Sequence, residues 1–222
     1  MGIGIMGGTF NPVHFGHLRA AEEVAETLLL AKMIFMVASQ PPHKSEEGLV
    51  AFAHRYRMLE LAVAGNPLFA VSDLEHRRAG KSYSVETLTQ LHTHYAEGEE
   101  LYFVLGLDAF MELPTWKNYR ELFALCHFVV VGRPGYSSTS LEIMLKSQVS
   151  DKYCFNHQVE GFIHPSQHNV YYREVTLLDI SSSAVRDLLA KGNSVRYLVP
   201  EKVGTYIYRQ GLYGTSKQSA EG

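Results

Sequence analysis

Short apolar runs recur along the 222-residue chain, and stretches with helical spacing fill the gaps between them. Ile3–Met6, Met33–Ala38, Phe69–Ser72, Leu101–Leu105 and His127–Val131 are brief runs rich in β-branched or aromatic residues, which predicts strands. Val170–Leu177 reads as a last strand. Leu18–Leu30, His54–Ala64, Ser84–His94 and Tyr119–Leu125 repeat apolar residues at three- and four-residue intervals, which predicts helices. Strands that are apolar along their whole length are covered on both faces, and intervening helices imply parallel strands joined by right-handed crossovers. The expected fold class is α/β: a doubly wound, Rossmann-like parallel sheet with helices on both faces. Ala184–Lys191, closed by Gly192, and Glu201–Gln210, opened by Pro200, add a small C-terminal helical appendage. A single domain is expected over residues 1–212, with its helical part at 181–212, followed by a polar tail at 213–222 expected to be disordered. Residues 151–168 have no period and read as a loop excursion.

Composition narrows the class. Hydrophobic residues make up 46% and charged residues 19%, as in an ordinary globule. A net charge of −3 without a basic tract argues against nucleic acid as the main partner. The longest apolar stretch, Leu28–Ala38, is broken by Lys32 and too short to span a bilayer, so no membrane role is expected. The first residues lack the basic segment of a signal peptide. The two cysteines, Cys126 (in an apparent buried strand) and Cys154, make no disulfide framework, so a reducing cytoplasm is the expected compartment. A homo-oligomer is compatible with all of this.

The chemistry concentrates where the first run ends. Ile5-Met6 leads into Gly7-Gly8, a turn containing Asn11-Pro12, and then His14-Phe15-Gly16-His17 at the start of a helical pattern. A glycine loop and a helix start at the carboxyl end of a strand form a ready anion site, through close backbone N–H groups and the helix dipole. Histidines three apart lie on one face of a helix and would address one ligand. They could instead form a metal pair, although no Cys or carboxylate partner lies in the loop, or simply fill the helix start. Gly2-x-Gly4-x-x-Gly7 reproduces the dinucleotide-binding string but has no strand before it, and no P-loop occurs. The second such stretch is Ile180-Ser181-Ser182-Ser183-Ala184-Val185-Arg186. Its serines suit helix capping; with the arginine fork one turn in, they also suit an anion clamp.

The ordered pair Gly7-Gly8-Thr9-Phe10-Asn11-Pro12-Val13-His14-Phe15-Gly16-His17 and Ile180–Arg186 resembles the signature of HIGH-type nucleotidyltransferases. Pro41-Pro42-His43-Lys44, the segment from His54 to Leu59, Lys81–Leu88, Gly106-Leu107-Asp108, Pro114-Thr115-Trp116 and Val131–Gly135 bring it close to bacterial nicotinate-nucleotide adenylyltransferases, over roughly residues 3–210. The resemblance implies transfer of AMP from ATP to nicotinate mononucleotide, releasing pyrophosphate, with Mg²⁺ carried on the ATP phosphates and no metal ligand in the protein. It implies His14, His17 and Arg186 as catalytic, with His17 on the α-phosphate. Gly7, Gly8, Thr9 and Phe10 would cradle ATP, Ser181, Ser182 and Ser183 would hold its outer phosphates together with Arg186, and Gly106 and Asp108 would meet its adenosine. On the acceptor side it implies Trp116 stacked on the nicotinate ring and the helix start at Tyr83-Ser84 on its carboxylate. Lys44 and Arg133 would meet the acceptor phosphate. Ser84 and Glu86 depart from the Thr and Asp common in the family. Plainer readings stand beside these: Asp108 as a helix N-cap, Trp116 as packing, Lys44 and Arg19 as surface cations, Asn11 as a turn residue. A related transferase with another acceptor, such as phosphopantetheine, is less consistent with Trp116 and Tyr83. A non-catalytic nucleotide-binding regulator would be free to lose His14, His17 or Arg186.

Overall fold

The computed structural model describes residues 1–40, 48–78, 80–95, 98–132 and 138–215. The strands are β1 (Gly2–Gly8), β2 (Lys32–Val37), β3 (Phe69–Ser72), β4 (Glu100–Gly106), β5 (His127–Gly132), β6 (Cys154–Asn156), β7 (Gly161–Ile163) and β8 (Val170–Glu174). They form one sheet in the order β3-β2-β1-β4-β5-β8-β7-β6. The pairings from β3 to β8 are parallel, whereas β7 runs antiparallel to both β8 and β6. The sheet is therefore mixed. The excursion at 151–168 is not a plain loop: it holds the β6–β7 hairpin, which extends the open edge of β8.

The helices are α1 (Phe15–Thr27), α2 (Phe52–Val63), α3 (Leu74–Arg77), α4 (Ser84–His94), α5 (Leu107–Met111), α6 (Tyr119–Leu125), α7 (Ser138–Met144), α8 (Ser182–Ala190) and α9 (Glu201–Gln210). Successive strand residues point to opposite faces, and here both faces are apolar. Ile3, Ile5, Ile34, Phe103, Phe128 and Val130 pack on one side with Leu88, Phe110 and Phe123 of α4, α5 and α6. Met6, Met33, Phe35, Val104 and Val129 pack on the other with Val24, Met58, Leu59, Val185 and Ile207 of α1, α2, α8 and α9. That arrangement explains the unbroken apolar runs. Gly2, Gly4 and Gly7 all lie inside β1, and a Cβ on Gly4 would sit 2.6 Å from the Met33 side chain. Gly2 and Gly4 thus serve sheet packing, not a dinucleotide loop.

Several boundaries move. Helix α1 starts three residues early because His14 caps it, and ends at Thr27 because Leu29 adopts a left-handed conformation, φ +50°. Strand β8 stops at Glu174 because its partner β5 ends opposite it, at Gly132. Cys126 is fully buried but ends α6 instead of lying within a strand, and burial pushes its thiol pKa up. Residues 213–215 of the expected tail are ordered: Leu212–Gly214 form a 3₁₀ turn packed beside α8, and Tyr213 bonds back to Asn11; residues 216–222 lie outside the described residues. No helix among the described residues is long and apolar enough to cross a membrane.

Candidate active site

The strand order reverses between β1 and β4, and a cleft of about 770 Å³ opens there at the carboxyl ends of the strands. Gly7 and Gly8 from the end of β1, Gly106 from the end of β4 and Gly132 from the end of β5 all line it. A Cβ on Gly106 would meet nothing within 4 Å, so this glycine leaves the cleft open to a ligand. Gly132 has the opposite reason: a Cβ there would fall 2.0 Å from the Tyr172 hydroxyl.

The glycine loop turns sharply into α1. Thr9 lines the cleft, but Phe10, 2% exposed, does not. Its ring packs edge-on against His17 at 5.1 Å and Phe35 at 5.9 Å, and its backbone is left-handed, φ +48°. The Phe10 ring thus packs against His17 and outside the cleft lining, so it is not the ring that would contact ATP. A non-glycine residue held in this region costs of order 1–3 kcal/mol, which surrounding structure must offset.

Arg55 supplies much of that restraint. It is 1% exposed and makes four hydrogen bonds, all to carbonyls: Nε to Val50 O at 3.1 Å, Nη1 to Thr9 O at 2.9 Å and Ala38 O at 2.7 Å, and Nη2 to Ser39 O at 3.2 Å. One guanidinium therefore ties the exits of β1 and β2 to the segment before α2. Burial pulls its pKa down, yet arginine stays charged. The sequence reading assigned Arg55 no role, although it falls three and four residues before the buried Met58 and Leu59, on the apolar face of α2.

His14, in extended conformation, is the N-cap of α1 and is buried; burial lowers its pKa from 6.5 to about 4, so the ring is neutral at physiological pH. His17, one turn in, accepts the His14 backbone N–H on Nδ1 at 3.3 Å. In a neutral ring that places the His17 proton on Nε2. The two rings lie 3.7 Å apart, and both line the cleft. Gly16 makes this close approach possible, since a Cβ there would touch the His14 ring at 3.0 Å.

Ser181, Ser182 and Ser183 form the opposite rim. Ser181 is the N-cap of α8, its Oγ accepting the Ala184 N–H at 3.1 Å, so the capping reading holds for it. Ser182 donates its hydroxyl to Pro12 O at 2.9 Å, which leaves its backbone N–H rather than its side chain as a donor toward the cleft. Arg186 lies behind the rim rather than in the lining, its Nη1 on Asn11 O at 2.9 Å and its Nη2 on Ser183 Oγ at 3.4 Å. The two signature segments thus touch directly, serine and arginine on the Asn11-Pro12 turn. Neither α1 nor α8 has an acidic residue in its first turn, so neither helix start opposes an anion from its own side chains.

On the other side of the cleft, Gly106 is the N-cap of α5, and Asp108 sits within the first turn, exposed to the cleft; the plain N-cap reading of Asp108 fails. Trp116 follows the 3₁₀ turn Leu113–Thr115, half-buried against Phe103 at 6.4 Å, and lines the cleft with Ser84. Tyr83 is the N-cap of α4, with no side-chain cap on that helix start. Glu86 pairs with Lys117 at 2.7 Å and Arg78 at 3.4 Å, joining the start of α4 to the Trp116 segment. Arg19 pairs with Glu23 across one turn of α1, the surface cation of the plainer reading. Lys44 and Arg133 lie outside the described residues, as do Pro41 and Pro42. Among the described residues, no three His, Cys, Asp or Glu side chains are grouped to hold a metal ion.

Anion-receptive helix starts at the switch point between the parallel strands of a mixed sheet belong to a nucleotide-handling α/β protein, and residues 5–188 match the cytidylyltransferase-like family. Relatives bearing the name "Probable nicotinate-nucleotide adenylyltransferase" are 45% identical in Geotalea daltonii (98% of this chain, 100% of the relative) and 46% identical in Syntrophotalea carbinolica (99% and 100%). The solved nicotinic acid mononucleotide adenylyltransferase of Plasmodium falciparum complexed with NaAD has a TM-score of 0.72 over 97% of this chain and 98% of that one. At 19% identity that likeness speaks for the fold. The chain belongs to the nicotinate-nucleotide adenylyltransferase family of nucleotidyltransferases.

Proposed function

We propose that the chain joins ATP and nicotinate mononucleotide into nicotinate adenine dinucleotide, with pyrophosphate leaving, at the cleft between β1 and β4. The observation that carries this reading is the close His14–His17 pair at the start of α1, with both rings in the cleft lining together with the serines at the start of α8. The acceptor's 5′-phosphate, with a second pKa near about 6, is already largely a dianion and needs no general base. One of its oxygens forms a bond to the α-phosphorus as the bond from that phosphorus to the bridging oxygen breaks, and pyrophosphate carries away the electron pair. Catalysis then consists of alignment and of donors placed where charge accumulates. His17 would donate from Nε2 to an α-phosphate oxygen, and one such oriented donor is worth about 2.7–4 kcal/mol. Neutral His14 adds a dipole without drawing a proton. Gly7, Gly8 and Thr9 would present backbone to the phosphates. The N–H groups at the start of α8 would meet the outer phosphates, and the Arg186 guanidinium, seated on Asn11 O and Ser183 Oγ, would add positive charge beside them.

Asp108 and Glu112, both exposed, and the buried Glu75 line the cleft beside its imidazoles. Mg²⁺ keeps much of its water shell and would arrive on the ATP phosphates with no ligand from the protein, while Gly106 and Asp108 would meet the adenosine. When bound, it would neutralise charge on the leaving pyrophosphate. Trp116 would stack on the nicotinate ring, and the uncapped start of α4 at Tyr83-Ser84 would receive its carboxylate. Lys44 and Arg133 are proposed for the acceptor phosphate on the family resemblance alone, and a reducing cytoplasm is proposed as the compartment. The test of direct transfer uses ATP chiral at a thio-substituted α-phosphorus. In-line attack predicts inversion in the dinucleotide product; retention would require a covalent enzyme intermediate and would overturn the mechanism.

A further inference from the structure

The buried Asn11 side chain is a junction between three distant parts of the chain. Its Nδ2 donates to Gly48 O at 2.8 Å, while its Oδ1 accepts the Val50 N–H at 3.3 Å and the Tyr213 hydroxyl at 2.8 Å. Two donors on one atom and an acceptor carbonyl on the other fix the orientation of the amide. The main chain of the same turn carries both contacts from the second signature, Arg186 Nη1 on Asn11 O and Ser182 Oγ on Pro12 O. The shorter bond to Oδ1 comes from a residue more than 200 positions away, on the 3₁₀ turn after α9.

That turn is built to deliver the hydroxyl. Leu212 is buried, Gly214 passes against Ala190 at the end of α8, and the Thr215 N–H and Oγ1 both bond to Leu212 O. Gly211, with φ +64°, allows the reversal after α9. Tyr213 is itself left-handed, φ +57°, a conformation that a tyrosine does not choose locally. Burial raises its phenol pKa, with Arg186 and Arg55 near enough to oppose the rise, so the group stays an O–H donor at physiological pH. Strain kept at a residue whose polar atom reaches into a binding turn points to use.

We propose that Tyr213 is a positioning residue for nucleotide binding: by holding the Asn11 amide it sets the turn on which Ser182 and Arg186 rest. This inference relies on the adenylyl-transfer reading of the cleft. Loss of the hydroxyl leaves Oδ1 with only its longer bond, so the turn and the Arg186 guanidinium lose a fixed seat. The effect should fall on ATP and spare the acceptor, whose proposed contacts at Trp116 and Tyr83 lie across the cleft.

The experiment compares wild type, Tyr213→Phe, Asn11→Ala and the double variant at 25 °C, with folding checked by circular dichroism. Thr215→Val is a control that removes a hydrogen bond of the same turn but leaves Asn11 alone. Tyr213→Phe should lower kcat/KM for ATP about fivefold to tenfold, the value of one neutral hydrogen bond. The loss should appear mainly in KM for ATP, with KM for nicotinate mononucleotide unchanged, and should vanish in the Asn11→Ala background. Thr215→Val should keep wild-type constants. Kinetic constants within twofold of wild type for Tyr213→Phe, or additive losses in the double variant, would overturn the proposal. ATP affinity measured by calorimetry in the absence of acceptor gives a readout independent of turnover. A wild type that binds ATP but makes no product refutes the transfer reading, while equal ATP affinity in wild type and Tyr213→Phe refutes the positioning role.

Discussion

Replacing Arg55 by lysine keeps a positive charge at the centre of the phosphate-loop framework but removes the planar fork. The guanidinium reaches Val50 O, Thr9 O, Ala38 O and Ser39 O at 2.7–3.2 Å in directions that a single ammonium group cannot span. At least two of these carbonyls should lose their partner in a site where Arg55 is 1% exposed. A bond from a charged donor contributes about 1.5–3 kcal/mol, so the loss is roughly 3 kcal/mol before any water fills the gap. For a chain of this size, that corresponds to a Tm lower by roughly 6–12 °C. The kinetic effect is separate, because Thr9 and Ala38 sit at the mouth of the cleft. A loop displaced by about 1 Å can cost on the order of a hundredfold, so kcat/KM for ATP should fall roughly tenfold to a hundredfold even where the variant is fully folded. Thermal melts and steady-state kinetics at 20 °C separate the two. Arg55→Met, similar in bulk, leaves all four carbonyls unpaired and should be less stable than the lysine variant. If either variant melts and turns over like wild type, the carbonyls are satisfied without the fork and the restraint argued from them does not exist.

Three further outcomes follow from individual contacts. His14 titrates near 4 when folded and 6.5 when unfolded, so the unfolded chain takes up the proton first as the pH falls. Its contribution to stability is full above about 6.5 and declines by roughly 3 kcal/mol as the pH falls to 4; urea titrations of His14→Asn should show an acid slope shallower than wild type, and parallel slopes would refute the assignment. Trp116→Ala should raise KM for nicotinate mononucleotide roughly tenfold, from about 1–3 kcal/mol of lost stacking, and leave KM for ATP in place; a change confined to ATP would reassign the ring. Leu29 is 87% exposed in a left-handed conformation, so Leu29→Gly should raise stability by about 0.5–1 kcal/mol in a denaturant melt, and a loss would show that the exposed side chain packs in solution.

The parallel core was legible because strands buried on both faces advertise themselves as unbroken apolar runs, and α4, α6 and α9 have the bounds their periodicity predicts. The β6–β7 hairpin was not, because Cys154–Asn156 and Gly161–Ile163 are too short and too polar to show a period, and they pair only because β8 offers an edge. Helix α5 was hidden in the same way, Leu107–Met111 continuing the apolar run of β4. In the site, the glycine loop and both histidines were readable from composition and order. The inward turn of Phe10 and the Ser182 and Arg186 contacts with the Asn11-Pro12 turn depend on long-range packing that no local pattern carries. Arg55 left a trace, a cation on an apolar helix face. Tyr213 left none, since a tyrosine after a closing glycine looks like the start of a tail.

The central claim is tested most directly by pyrophosphate release from ATP and Mg²⁺ with nicotinate mononucleotide, nicotinamide mononucleotide and phosphopantetheine as parallel acceptors. Strong turnover with the first, weak turnover with the second and none with the third is the expected result, since a carboxylate gains more than an amide at the start of α4. Activity with phosphopantetheine alone would keep the ATP side and overturn the acceptor site at Trp116 and Tyr83. Silence with all three in a chain that binds ATP would contradict the account.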